Sequence, residues 1–194
     1  MVEKCKVMDK KAKVLDAALK LFVEFGFHNT PTSKIAKEAG ISSGTLFYFF
    51  PTKDELVVAL YLDIKSKLGC EITESISQET SFKEILKKYY TTTLDWAKEH
   101  RDEFKFMEQF NSSPYLKKIA EDEIQKYVKP LKELLQNAID EGVLKNMDLE
   151  ILFTLISGHT FSINQYLIIS EPQESKREQI ISETFDLLWQ MISA

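Results

Sequence analysis

Between Ser42 and Tyr48 the chain reads Ser-Ser-Gly-Thr-Leu-Phe-Tyr, which places hydroxyls, a glycine and a phenol within two turns of helix. Small residues at a helix tip let the backbone approach closely, and each hydroxyl can both donate and accept a hydrogen bond. That chemistry suits base edges in the major groove of double-stranded DNA, where bulky side chains would hold a helix away. Ser43, Gly44 and Thr45 form the approaching turn. Tyr48 reaches a base edge or phosphate one turn later, and Phe47 is placed to touch a thymine methyl or to pack inward. Phosphate oxygens ask for hydroxyls, cations and the unpaired N–H groups of helix N-termini. Thr30, Thr32 and Ser33 stand near the start of one helical segment and Lys53 at the start of another. These four are assigned to positioning, and Ser43, Thr45 and Tyr48 to readout.

Such residues work only on rigid elements, and the sequence supplies helices for them. Val14, Ala18, Leu21, Phe22 and Phe25 recur at three- and four-residue steps, which predicts a helix over about Lys10 to Phe25. Gly26 supplies its left-handed stop, and Phe27 folds back on the last turn. Thr30 reads as the N-cap of a second helix with Pro31 in the first position, ending near Gly40. Ser42 caps a third whose Leu46 and Phe50 point inward. Pro51 closes it, and the pair Thr52 and Glu55 forms a capping box that opens a fourth helix from Lys53 to about Cys70. Two short helices joined by a turn at Gly40 fit a helix-turn-helix.

Further helical segments are expected over Ser81 to His100, Asp102 to Phe110, Pro114 to Glu141, Met147 to Ile169 and Pro172 to Ile192. Pro130 should kink the third of these and Gly142 should end it. The predicted fold is all-α with about nine helices. A three-helix DNA-binding head occupies residues 1–52, and a larger helical body for ligand binding and dimerisation occupies 53–194.

The stretch Val14 to Leu56 resembles the DNA-binding head of the TetR family of bacterial and archaeal repressors. The likeness centres on Thr32-Ser-Lys-Ile-Ala-Lys-Glu-Ala-Gly-Ile-Ser-Ser-Gly-Thr-Leu-Phe-Tyr-Phe-Phe-Pro-Thr-Lys-Asp-Glu-Leu56. Ile35, Ala36, Ala39, Gly40, Gly44, Thr45, Leu46, Phe50, Lys53 and Leu56 fall in the family's spacing without a gap. The resemblance implies a homodimer on a palindromic operator and a body that binds a small molecule and releases the DNA. It also implies dimerisation through the last two helices. Two positions depart from the family: Ser43 stands where Lys is common and Phe47 where Tyr is. The head has no arginine, so the usual bidentate guanine contact is absent and each head should bind with modest affinity.

In the body, an aromatic-rich set suits a small apolar or aromatic effector, with Trp96, Phe104, Met107, Phe110, Tyr127 and Phe161 as the candidate lining. Asp95, Glu103 or Glu108 nearby would favour a cation. The last helix carries two apolar stripes, Ile181, Phe185, Leu188 and Ile192 on one side and Ile180, Leu187 and Met191 on another, one for the core and one for a partner. The first stripe, with Phe161, is assigned to dimerisation.

Composition narrows the alternatives. The net charge is −5, yet residues 1–56 hold 9 lysines against 7 acids while the remainder holds 16 basic residues against 23 acids. A mildly basic head on an acidic body is compatible with DNA binding through the head alone. His28, His100 and His159 are isolated, Glu-x-x-His spacing is missing, and Cys5 and Cys70 lie far apart, which argues against a di-iron or zinc site. No nucleophile motif or phosphate-binding glycine loop occurs. The expectation is a non-enzyme with no cofactor, no metal and no membrane span, placed in the cytoplasm. A helical ligand-binding or adaptor protein without sequence-specific DNA binding is the alternative that the Ser43 and Phe47 departures leave open.

Overall fold

The computed structural model describes residues 2–119 and 121–194, with side chains described outside 2–8, 121–122 and 124–125. Cys5 lies outside the described side chains. The described residues form nine α-helices and one short 3-10 helix: α1 (Val2–Phe25), α2 (Thr32–Glu38), α3 (Ser43–Phe49), α4 (Lys53–Ile76), α5 (Phe82–Glu99), α6 (Arg101–Asn111), the 3-10 helix (Pro114–Lys118), α7 (Glu121–Asp140), α8 (Leu149–Ser170) and α9 (Glu174–Ile192). None is long and apolar enough to cross a membrane. The chain divides into two compact units, Met1–Ser66 with His100–Glu121, and Lys67–Glu99 with Asp122–Ala194. The first therefore takes in α6, the 3-10 helix and α4 as far as Ser66, besides α1 to α3.

In the first unit the predicted stripe of α1 is core as far as Phe22: Val14, Ala18 and Phe22 are fully buried, as are Ile35 of α2 and Leu46 of α3, whereas Phe25 at the helix end is 37% exposed with the Lys34 ammonium 3.3 Å from its ring centroid. Gly26 ends α1 at φ +75°, and Phe27 folds back so that its ring meets Phe22 edge-on at 5.3 Å. Phe106 of α6 completes the cluster at 5.5 Å from Phe27. Helix α1 begins well before Lys10, because the lysine-rich lead is built of good helix formers and gains local pairs such as Lys13–Asp9 at 2.8 Å. Helix α4 likewise outruns Cys70, because Ile72 and Ile76 continue the four-residue stride of Leu68 and stay half-buried. The expected long segment Pro114 to Glu141 is instead split into the 3-10 helix and α7, since Ser113 caps a tight turn on the Tyr115 N–H. Pro130 sits inside α7, exposed, and Gly142 follows that helix at φ +72°.

The second unit packs α5, α7, α8 and α9 around Tyr90, Leu94, Leu135, Leu152, Ile156 and Phe185. Arg177 is buried and ties α9 to α5: Nη1 donates to Asp95 Oδ1 at 2.7 Å and Nη2 to the Leu94 carbonyl at 3.0 Å. The segment after α7 clasps the end of α9. Lys145 N–H donates to the Ile192 carbonyl at 2.9 Å, and its ammonium reaches the Met191 carbonyl at 2.8 Å. Both tryptophans lie in this unit, Trp96 buried on α5 and Trp189 on α9 with the Phe82 ring 6.3 Å away.

One stripe of α9 meets a different neighbour from the one expected. Ile181, Phe185, Leu188 and Ile192, expected at a dimer interface, are at most 6% exposed and belong to the unit's own core. They are turned toward α5 and α8, and no partner is needed to bury them. The second stripe is the solvent-facing one, with Leu187 61% and Met191 41% exposed.

Candidate nucleic-acid interface

Helix α3 is positioned from both ends. At its start the Ser42 hydroxyl accepts from the Thr45 N–H at 3.1 Å, and Ser42 Oγ lies 2.9 Å from Thr45 Oγ1. This caps one of the helix's free donors, a contribution of about 1 kcal/mol. At its far side Leu46 and Phe50 are buried and anchor the helix to the first unit's core. Between α2 and α3, Gly40 takes φ +67°, a left-handed conformation that closes the turn, and the Ile41 N–H returns to the Ala36 carbonyl at 2.9 Å. The anchored face leaves Ser43, Gly44, Phe47 and Tyr48 exposed and Thr45 half-exposed. Tyr48 is 78% exposed, with its ring edge-on to Phe49 at 5.5 Å. The first turn of α3 is therefore free of bulk, as groove entry requires.

The positioning residues divide. Ser33 is exposed and Thr32 half-exposed at the start of α2. Thr30 is different: it is fully buried, and its hydroxyl lies 2.8 Å from the Gly26 carbonyl and 3.1 Å from the Leu21 carbonyl. Its side chain is a structural tie between the end of α1 and the start of α2, which corrects its assignment to phosphate and its reading as an N-cap. The residue in the N-cap place is Pro31, which has no side-chain hydroxyl to offer.

Lys53 opens α4 half-buried, and burial pulls its ammonium below the usual lysine range, with Asp54 opposing. Beside it Thr52 caps the helix as expected, its Oγ1 accepting from the Glu55 N–H at 3.1 Å, while the Glu55 carboxylate accepts from the Thr52 hydroxyl at 3.1 Å. The neighbouring Asp54 is held by the ammonium of Lys118 and by the Tyr115 hydroxyl. The Lys118 hydrogen bond is the main reason the Asp54 carboxyl lies below its ordinary value, and the same bond raises Lys118. Tyr115 in turn packs edge-on to Phe27 at 5.2 Å, so the start of α4 is pinned to the 3-10 helix through one cluster. Nothing in the local sequence around Asp54 announces this, because Lys118 lies 64 positions away.

The effector candidates fall in both units. Phe104, Met107 and Phe110 are buried on α6 in the first, where Phe110 stacks on Tyr61 of α4 at 4.0 Å and 14°. Trp96 is buried, Tyr127 half-buried and Phe161 38% exposed in the second. Two of the three acids expected to receive a cation are otherwise engaged: Asp95 carries Arg177, and Glu103 lies 3.6 Å from the His100 ring.

Comparisons with known proteins extend over the whole chain. Residues 14–60 match the family of bacterial regulatory proteins of the tetR type, and residues 61–194 match the tetracyclin repressor-like C-terminal domain. The transcriptional regulator RutR of Escherichia coli K12 is 28% identical over 157 residues, 79% of this chain and 73% of that one. The fatty acid metabolism regulator of Bacillus subtilis is 31% identical over 77 residues, which is 40% of each chain. Among solved structures, a TetR-family transcription regulator from Shewanella sp. PV-4 superposes with a TM-score of 0.87 at 27% identity, covering 95% of this chain and 98% of that one. FadR of Bacillus subtilis, solved in complex with stearoyl-CoA, shares the fold at a TM-score of 0.79 and 20% identity, over 91% and 96% of the two chains. With an anchored recognition helix whose tip is bare, and with family matches that meet at residue 60, the chain belongs to the TetR family and is a helix-turn-helix transcriptional regulator, not an enzyme.

Proposed function

We propose that the protein is a cytoplasmic repressor that binds a palindromic operator as a homodimer and is released by a small, apolar effector. The observation that carries the DNA half is Tyr48, a large aromatic held 78% in water beside a first turn made of Ser43, Gly44 and Thr45. Phosphate contacts then come from Thr32, Ser33 and Lys53, and readout from Ser43, Thr45, Tyr48 and Phe47. Two copies joined through α8 and α9 present two such tips to half-sites about one helical turn apart. Support for that joint is the exposed apolar set Ile151, Phe161, Tyr166, Ile169, Leu187 and Met191 on those helices.

The effector half is supported by the aromatic and Met side chains of α6 and by similarity to fatty acid regulators, one of them solved with an acyl-CoA. Trp96, Tyr127 and Phe161 are the candidates in the second unit. An effector that prefers the DNA-free conformation releases the operator, and a preference of a few kcal/mol is enough.

Footprinting on the DNA upstream of the protein's own gene tests the reading. A protected palindrome is expected, lost on adding a long-chain acyl ligand. Tyr48→Ala should relax preference at one operator position by about 1–3 kcal/mol. Equal affinity for any palindrome and random duplex at low salt would sink it.

A further inference from the structure

We infer that the effector carries a negative charge and that Lys65 of α4 receives it. The inference rests on the protein being effector-controlled, and it names the charge and the residue that the effector reading leaves open. Lys65 is half-buried, and among the described residues it has neither an ion pair nor a hydrogen bond. The lysines that pair with acids make a contrast. Lys132, only 16% exposed in its side chain, is met by Glu150 at 2.6 Å, and the more exposed Lys98 by Glu174 at 2.5 Å. Lys65 has no such carboxylate, and burial alone pulls its ammonium below the ordinary lysine range.

Its place on the helix is apolar. Ile64 precedes it and Leu68 follows one turn on, both buried, and one turn back Tyr61 lies flat on Phe110, the α6 residue already a candidate for the effector. A cation kept on such a surface without a counter-charge is costly unless an anion arrives to pair with it. A ligand with an apolar chain and a carboxylate or phosphate meets both needs, the chain against the aromatic side chains and the anion on Lys65. Two of the three acids that would favour a cationic ligand, Asp95 and Glu103, face Arg177 and His100 instead.

The test is calorimetric titration of the full chain with laurate, lauroyl-CoA and the uncharged dodecanol, using wild type and Lys65→Met. Wild type should bind at least one of the anions more tightly than dodecanol. Lys65→Met, which keeps the side chain's length, should weaken that anion about tenfold or more and leave dodecanol unchanged. A loss confined to laurate assigns Lys65 to a carboxylate, and a loss confined to lauroyl-CoA assigns it to a phosphate. Ligand-free Lys65→Met should melt no lower than wild type, since it removes an unpaired charge; a lower melting temperature would show that the charge is already satisfied and overturn the inference. Unchanged binding of both anions by the variant, or dodecanol bound as tightly as the tighter of the two, would overturn it too. If none of the three binds wild type or loosens it from DNA, the apolar-effector reading falls first and Lys65's role with it.

Discussion

Two threonines of similar outlook in the sequence do opposite things in the fold. Thr45 stays half-exposed at the tip of α3, its hydroxyl 2.9 Å from that of Ser42, whereas Thr30 is sealed in with two backbone carbonyls beside its hydroxyl. Thr30→Val keeps the shape but leaves those buried carbonyls without their donor, at a cost of about 1–3 kcal/mol. Denaturant unfolding should register that loss, while the salt dependence of operator binding, which counts phosphate contacts, should keep its slope. A changed slope with unchanged stability would return Thr30 to the DNA. Residue type alone could not separate the two threonines, because the hydroxyl beside Pro31 serves equally as a cap, a phosphate donor or an internal tie.

At the scale of elements, α5, α8 and α9 are joined by a polar node. Tyr90 Oη lies 2.9 Å from Thr184 Oγ1 and 3.4 Å from His159 Nε2, and that nitrogen lies 3.0 Å from the Thr184 carbonyl. Burial pushes the Tyr90 phenol up to about 12, keeping it neutral. Burial also pulls His159 below 6.5, with the Thr184 carbonyl opposing. Its folded state thus takes up a proton less readily than its unfolded state, so stability is full above 6.5 and declines as pH falls from there toward the depressed value. Thermal melts of His159→Gln should show a flatter acid limb below pH 6.5 than wild type; an identical limb would place the acid sensitivity elsewhere.

The end of α2 and both ends of α3 were legible because those boundaries are written in local chemistry, in the Gly40 turn, the Ser42 cap and Pro51. The end of α4 and the break before α7 were not. They depend on the half-burial of Ile72 and Ile76 and on a turn at Ser113 that periodicity does not register. The two stripes of α9 have the same helical period, so only packing against α5 and α8 decides which is core. The Asp54–Lys118–Tyr115 pin and the unpaired state of Lys65 were equally out of reach, since both depend on residues distant in sequence.

For the molecule as a whole, that swap of stripes redirects the mutagenesis of the proposed dimer. Glutamates at Leu187 and Met191 should give folded monomers in sedimentation with an unchanged helical spectrum. Glutamate at Phe185, fully buried, should unfold the chain instead, since even truncation of a buried Phe costs about 3–5 kcal/mol. A Leu187 and Met191 double variant that still sediments as a dimer would move the joint off this face.

The distribution of indoles has a practical corollary. Trp96 and Trp189 both sit in the second unit, and α1 to α3 contain none. Red-edge ultraviolet light excites indole and passes over tyrosine, so unlabelled emission watches the second unit and is blind to the recognition helix. A change of that emission on adding operator DNA therefore registers an event at the second unit, which makes the wild-type protein its own reporter of what happens there.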